Sequence, residues 1–321
     1  MTTRRPWLVA VLACSSLTIG GACKKKEEAK PAAGSGAATA DKPAAAQGAD
    51  LALLPVDSEA VIGVDWAQLQ SSSLWKQFVE PEMLKDAELV QALATFKERC
   101  GFDPLTSVKR LSIGMKGLGN EMPDGVIIVH GLDQAKTLAC LDTFQAEAAQ
   151  EQVTITQDGG VTVARSDDGS AAFTFLSSSS ALVVFGAAVT ADAVRKVALG
   201  GSTLSTSPAF VDMYAKVDTK QSIWLLINGN AKPFEALSEL GIKPKAVFGS
   251  ISVTDSLSGD IRARLDSADQ AAQTANGFRG QAEAMASMVD KLEITNDGAD
   301  VRVVAAASSA KLKTLVQMFG R

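Results

Sequence analysis

The sequence predicts an α+β body made of two similar halves, each an antiparallel sheet of hairpins with helices packed on one face. Three observations predict it. Short runs rich in Val, Ile and Thr flank Asp158-Gly159 and Asp297-Gly298, where glycine supplies the positive φ that a tight hairpin turn needs. Other runs place apolar residues at helical spacing, as Ala135, Leu138, Ala139, Leu141 and Phe144 do. The same order of units also recurs along the chain. VDSEAVIGV (Val56 to Val64) faces VDTKQSIWL (Val217 to Leu225), and Ile113 faces Ile251. Asp133-Gln134-Ala135 faces Asp269-Gln270-Ala271, and VTITQDGGVTV faces LEITNDGADVRV. The offset is nearly constant, which is how an internal duplication reads.

Taken in order, Ala60 to Val64 reads as a strand and Trp66 to Leu69 opens a helical passage. Ser73 to Lys97 continues it, with Leu74, Phe78, Leu84, Leu89, Leu93 and Phe96 at helical spacing and Pro81 as an interruption. Cys100-Gly101-Phe102-Asp103-Pro104 stops the helix, because Gly and Pro both end helices. Val108 to Met115 and Gly125 to Val129 form a hairpin, and a helix runs from Asp133 to about Gln150. Two further hairpins follow, Val153 to Ala164 and Ala171 to Phe185, the second closed by Ser177 to Ser180. Ala191 to Leu199 is a helix, and Gly200-Gly201-Ser202 marks the boundary between halves 51–200 and 201–321. In the second half Gln221 to Ile227 is a strand and Lys232 to Leu240 a helix. Val247 to Val253 with Asp260 to Leu265 is a hairpin, Ser267 to Met288 a long helix, and Leu292 to Val304 another hairpin. Ala310 to Phe319 closes the chain as a helix.

Ahead of this body stands a segment with a different composition. Arg4 and Arg5 precede an apolar run from Trp7 to Ile19, and Gly20, Gly21 and Ala22 are small residues suited to a peptidase. That is the plan of a secretory signal, and the run is too short for a span of about 20 residues. Small residues running into Cys23 resemble the bacterial lipoprotein signal, the lipobox, so residues 1–22 are read as signal and Cys23 as the acylated terminus. Gly20 stands where that family prefers an aliphatic residue, and Cys14, after Val11-Leu12-Ala13, competes for the same role. Two or three acyl chains hold a protein stably at a bilayer, since each buried CH₂ contributes about 0.8 kcal/mol. Lys24, where enterobacterial lipoproteins kept at the inner membrane carry Asp, implies the outer membrane. Residues 23–50, rich in Ala, Lys, Pro and Gly, cannot bury a core and read as a flexible tether with a reach of about 30 Å.

Removal of Arg4 and Arg5 with the signal takes the net charge from −5 to −7. With no basic stripe and a single tyrosine, nucleic-acid binding is excluded from the expected functions. Of the four cysteines, Cys100 and Cys140 remain for the body. In an exported chain such a pair tends to cross-link, and the alternative is two separate buried thiols.

The chemical inventory is sparse. His130 is the single histidine, so a Ser-His-Asp relay or an ordinary zinc site has to pass through it, and at the end of the strand VIIVH it reads as structural. The glycines of GMKGLGN precede a strand rather than a helix, which makes them turn residues and not a phosphate cradle. Asp167-Asp168-Gly169 lacks the spacing of a calcium loop. The four serines at 177–180 lack a Gly-x-Ser-x-Gly elbow. The expectation is therefore no catalytic residue, no cofactor and no metal.

The signal ending in Cys23-Lys24-Lys25-Lys26, the Ala-rich linker, LLPVDSEAVIGVDWAQL and CGFDPLTSV together resemble uncharacterised delta-proteobacterial (myxobacterial) envelope lipoproteins. The resemblance covers most of the chain and implies no activity. The function expected from all of this is non-enzymatic. It is an envelope lipoprotein, anchored by lipid in the outer membrane and facing the periplasm, that binds or scaffolds another envelope component, a protein partner or an apolar ligand. The alternatives are a carrier of lipid or another apolar ligand in a groove between the halves, and a hydrolase with scattered residues.

Overall fold

The computed structural model describes residues 49–150, 152–201, 203–229, 231–234 and 242–319. Cys14, Cys23, the signal and nearly all of the linker lie outside the described residues, as does 235–240 of the helix expected after Lys232.

β1 (Ala60–Asp65) leads into a helical excursion: α1 (Trp66–Ser71), a π-turn at Trp75–Val79, α2 (Glu80–Met83), α3 (Ala87–Cys100) and α4 (Pro104–Ser107). Side chains start these helices. Asp65 accepts from the Gln68 amide and Asp86 from the Leu89 amide, each satisfying an otherwise orphaned N–H. Gly101, at φ 69°, closes α3 in the left-handed conformation. β2 (Arg110–Lys116) and β3 (Asp124–His130) form the first hairpin, and α5 (Gln134–Gln150) follows. Next come β4 (Thr154–Asp158), β5 (Val161–Ser166), β6 (Gly169–Ser177), β7 (Ser180–Gly186), α6 (Ala191–Ala198) and α7 (Pro208–Tyr214). The chain ends with β8 (Ile223–Asn228), β9 (Ala246–Val253), β10 (Ser256–Arg264), α8 (Ala268–Met285), β11 (Lys291–Asp297), β12 (Asp300–Ser308) and α9 (Ser309–Phe319).

The α+β class with antiparallel pairing holds throughout. What differs is how the halves meet. Among the described residues all strands belong to one 12-stranded sheet in the order β11-β12-β10-β9-β8-β1-β2-β3-β7-β6-β5-β4. The two chain segments join edge to edge through the antiparallel β1–β8 ladder, with Ile62 opposite Leu225 and Gly63 opposite Trp224. The hairpin β6–β7 lies between β3 and β5, so the added strands of the first segment are inserted into the sheet rather than appended to its rim.

Gly63 makes the junction possible. Trp224 is 0% exposed, and a Cβ on Gly63 would lie 2.0 Å from its Nε1. The bare backbone of β1 is the seat of the indole ring. Tyr214 from α7 meets the same ring edge-on, with centroids 5.3 Å apart.

The sheet has two unlike faces. One, carrying Val61, Val126, Ile128, Val163, Leu182, Trp224, Leu226 and Phe248, is sealed by Leu51, Leu54, Val194 of α6 and Phe210 of α7 into the main core. Helical elements also occupy the opposite face. There Ala271 and Ala275 of α8 pack on Leu265 and Val301, with Phe278 and Ile294 beside them, at the β11–β12 end. Cys100 and Cys140 form a disulfide that ties α3 to α5, and Phe96 of α3 stacks on Phe144 of α5 with centroids 6.0 Å apart.

Candidate functional site

Residues directly opposite one another in a ladder share a face, so the registers trace rows across the sheet. One row on the face away from the main core reads Phe173, Val183, Ile127, Ile113, Ile62, Leu225, Gly249, Ile261, Val303 and Ile294. Every side chain larger than glycine in it is half-buried, whereas Val61, Trp224 and Phe248 on the other face are sealed. The neighbouring row repeats the pattern with Phe175, Val64, Ile223, Ile251, Ala305 and Leu292, and Leu111, Val129 and Ala181 are buried within it.

A solvated face of an antiparallel sheet ordinarily alternates to Thr, Lys and Glu. Here it carries branched and aromatic side chains instead, with no charge in either row. The rows cross ten strands, about 40 Å at the usual strand spacing. α8 covers this face at the β11–β12 end through small residues, Ala271 and Ala275, which allow close approach. Among the described residues a separate cleft of about 540 Å³ lies between α9 and the turn at 286–290, lined by Met288, Ala310, Leu315 and Met318 together with Asp290 and Lys311.

The sealed face ends differently at the two halves. Near β10 and β12, Asp300 is 1% exposed and accepts from Arg264 Nε at 2.7 Å and Lys216 Nζ at 2.8 Å. Arg264 also donates to Asp212 and lies over the Phe248 ring. Burial pushes the Asp300 carboxyl up, but the two cations outweigh it and hold the group below its ordinary value. Arg302 does the same for Asp260 by two hydrogen bonds.

At the β3–β7 end His130 is not a bare strand terminus. Its Nε2 lies 3.0 Å from both Asp50 oxygens, and its Nδ1 lies 2.9 Å from Ser180 Oγ. Ser112 donates to Asp50 at 2.6 Å. A carboxylate only accepts, so it takes the Nε2–H and leaves Nδ1 to accept from the serine hydroxyl. Asp50, which composition places in the linker, is 3% exposed and anchors the start of the body under the sheet. Arg110 stands opposite His130 in the β2–β3 ladder. Burial pushes the hydroxyl of nearby Tyr214 up; the Thr219 hydrogen bond and the Arg110 charge oppose this, and the Asp50 charge adds to it.

Of the residues singled out from sequence, Cys100 and Cys140 are joined, His130 gains partners, and Cys23 lies outside the described residues. Asp50 had no sequence signal, and Ser180, one of the four serines set aside as a hairpin loop, lacked any that tied it to His130; they lie 80 and 50 residues from the histidine they flank. Among the described residues no helix is long and apolar enough to cross a membrane, and no cluster of three or more His, Cys, Asp or Glu side chains is placed to hold a metal ion.

No protein-family model matches the chain, and no curated protein does. A solved structure titled "Structure of crystal form I of TP0453" is similar with a TM-score of 0.50 at 11% identity, over 83% of this chain and 95% of that one. At that identity the likeness is one of fold.

Proposed function

We propose that the chain is an envelope lipoprotein, held through an acylated Cys23 at the outer membrane and facing the periplasm, whose body binds an apolar ligand against the open face of its sheet. The observation that carries the reading is the transverse row from Phe173 to Ile294, apolar throughout and half-buried. A contiguous apolar face that keeps part of its surface in water is a place where an apolar ligand gains by binding.

The chemistry of the face favours a hydrocarbon over a peptide. The ten strands that the rows cross are paired on both sides apart from the edge strand β11, so their backbone groups are used up. A peptide laid across the face brings its own amides, and each one buried without a partner costs about 1–3 kcal/mol. An acyl chain brings no such cost. It gains about 0.8 kcal/mol per CH₂ taken from water, close to a fourfold gain in affinity per carbon.

The test is binding of a fluorescent fatty acid to the full chain, together with mass analysis of lipids co-purifying from native membranes. Ile113→Thr and Leu225→Thr keep strand propensity and place hydroxyls in the middle of the row. Each is expected to weaken acyl binding at least tenfold without loss of fold. A wild-type chain that neither binds the probe nor carries lipid, or variants that bind it as well as wild type, overturns the reading. The mass of the mature amino terminus reads the anchor separately.

A further inference from the structure

We propose that Ser180 is an activated nucleophile that attacks carboxylic esters, driven by His130 and Asp50. The proposal goes beyond ligand binding and concerns the sealed face of the sheet, away from the apolar rows. Ser180 opens β7, directly across the ladder from the last residue of β3, His130. Their side chains point to the same face, and the 2.9 Å contact to Nδ1 follows from that register. On the other side of the ring Asp50 accepts the Nε2–H, and its own position is held by Ser112 at 2.6 Å. Burial of Asp50 keeps water from competing for that hydrogen bond.

A purely structural role accounts for only part of this arrangement. Fastening the start of the body needs the buried carboxylate and its donors, and Ser112 with His130 Nε2 provide them. Ser180 meets the other ring nitrogen and makes no direct contact with the carboxylate. It is half-buried, and the histidine it meets has a side chain 21% exposed, so neither group is sealed from solvent. The three groups are in the order nucleophile, base, orienting carboxylate, each within hydrogen-bond reach of the next.

The step balances without a cofactor. Ser180 Oγ forms a bond to the ester carbonyl carbon while its proton passes to His130 Nδ1. The imidazolium, stabilised by Asp50 at Nε2, gives that proton to the departing alkoxide as the C–O bond breaks. Water then repeats the sequence on the acyl-serine, releasing the carboxylic acid and the free hydroxyl.

The experiment treats the full chain with a fluorophosphonate probe and maps the adduct by peptide mass spectrometry. The expected result is a single adduct on Ser180, absent in Ser180→Ala and slowed at least tenfold in His130→Gln and Asp50→Asn. Because the last two touch a buried partner, a second measurement uses Ser180→Cys, which leaves that buried contact intact. Iodoacetamide is expected to alkylate this thiol at least tenfold faster when His130 is present than when it is Gln, with both proteins shown to be folded by circular dichroism. An unlabelled wild-type chain, labelling spread evenly over Ser177 to Ser180, or equal alkylation rates with and without His130 overturns the proposal.

Discussion

Gly63→Ala is the smallest change that tests how the two chain segments are joined. The added methyl would sit 2.0 Å from Trp224 Nε1 and 2.1 Å from Cε2, where ordinary contacts begin near 3.4 Å. The ring cannot swing clear, because it is 0% exposed and backed by Tyr214. Either the indole leaves its rotamer or β1 and β8 part, and overpacking of this kind costs about 1–3 kcal/mol. Trp224→Leu alone should cost about 3 kcal/mol, from lost burial and a residual cavity. In the Trp224→Leu background the alanine methyl enters space the ring has vacated. The penalty of Gly63→Ala should therefore fall by at least 1 kcal/mol, a coupling that a double-mutant cycle reads directly. Equilibrium urea unfolding followed by far-UV circular dichroism, at unchanged m-value, gives the four free energies. If Gly63→Ala stays within 0.5 kcal/mol of wild type, or costs the same in both backgrounds, the seat of Trp224 on β1 is not what joins the halves.

Two other perturbations have defined outcomes. The Cys100–Cys140 bond spans 40 residues, and in the chain-entropy account Cys140→Ser or reduction should lower stability by up to about 4 kcal/mol; a denaturation midpoint unmoved by complete reduction contradicts this. Asp300 has a depressed folded value, so its contribution is present above the unfolded value near 4 and lost as pH falls through the lower, folded one. Asp300→Asn should cost about 3 kcal/mol at pH 7, since it leaves Arg264 and Lys216 without their buried anion. The gap from wild type should close as pH drops below about 4, and parallel loss of stability in both proteins would refute the assignment.

The local pattern was legible in the sequence where the signal was periodic. The hairpins at Asp158-Gly159 and Asp297-Gly298, the helix through Cys140 and the long helix after Ser267 all follow from turn chemistry and apolar spacing. α7 was not legible. It has only seven residues, and Phe210 and Tyr214 carry tertiary contacts that no local pattern announces. The joining of β1 to β8 was equally hidden, because a strand that starts a half shows the same alternation whether it is an edge or an interior neighbour. The substitution pattern that accompanies the join, Gly63 opposite Trp224, has meaning only once the register is known. The His130 cluster escaped for a related reason. Asp50 lies at the end of an Ala-rich run whose composition reads as solvent-exposed tether, and one carboxylate does not alter that average.

The edge-to-edge join also explains how a wide apolar face coexists with few exposed sheet edges. An open sheet of 12 strands has just two edges, here β4 and β11. These are the places where another chain's strand would add on, and both are blunted. β4 exposes Thr154, Thr156, Gln157 and Asp158, and β11 exposes Lys291, Glu293 and Thr295, polar and charged groups that discourage pairing. At the β11–β12 end the apolar rows are capped by α8, so a second flat sheet cannot lie flush along their whole length. Had each half kept its own sheet, there would be four edges to protect and two shorter apolar faces. Merging them halves the edges and makes one continuous face, and a face long in one direction and devoid of hydrogen-bonding groups suits a flexible hydrocarbon better than a folded partner.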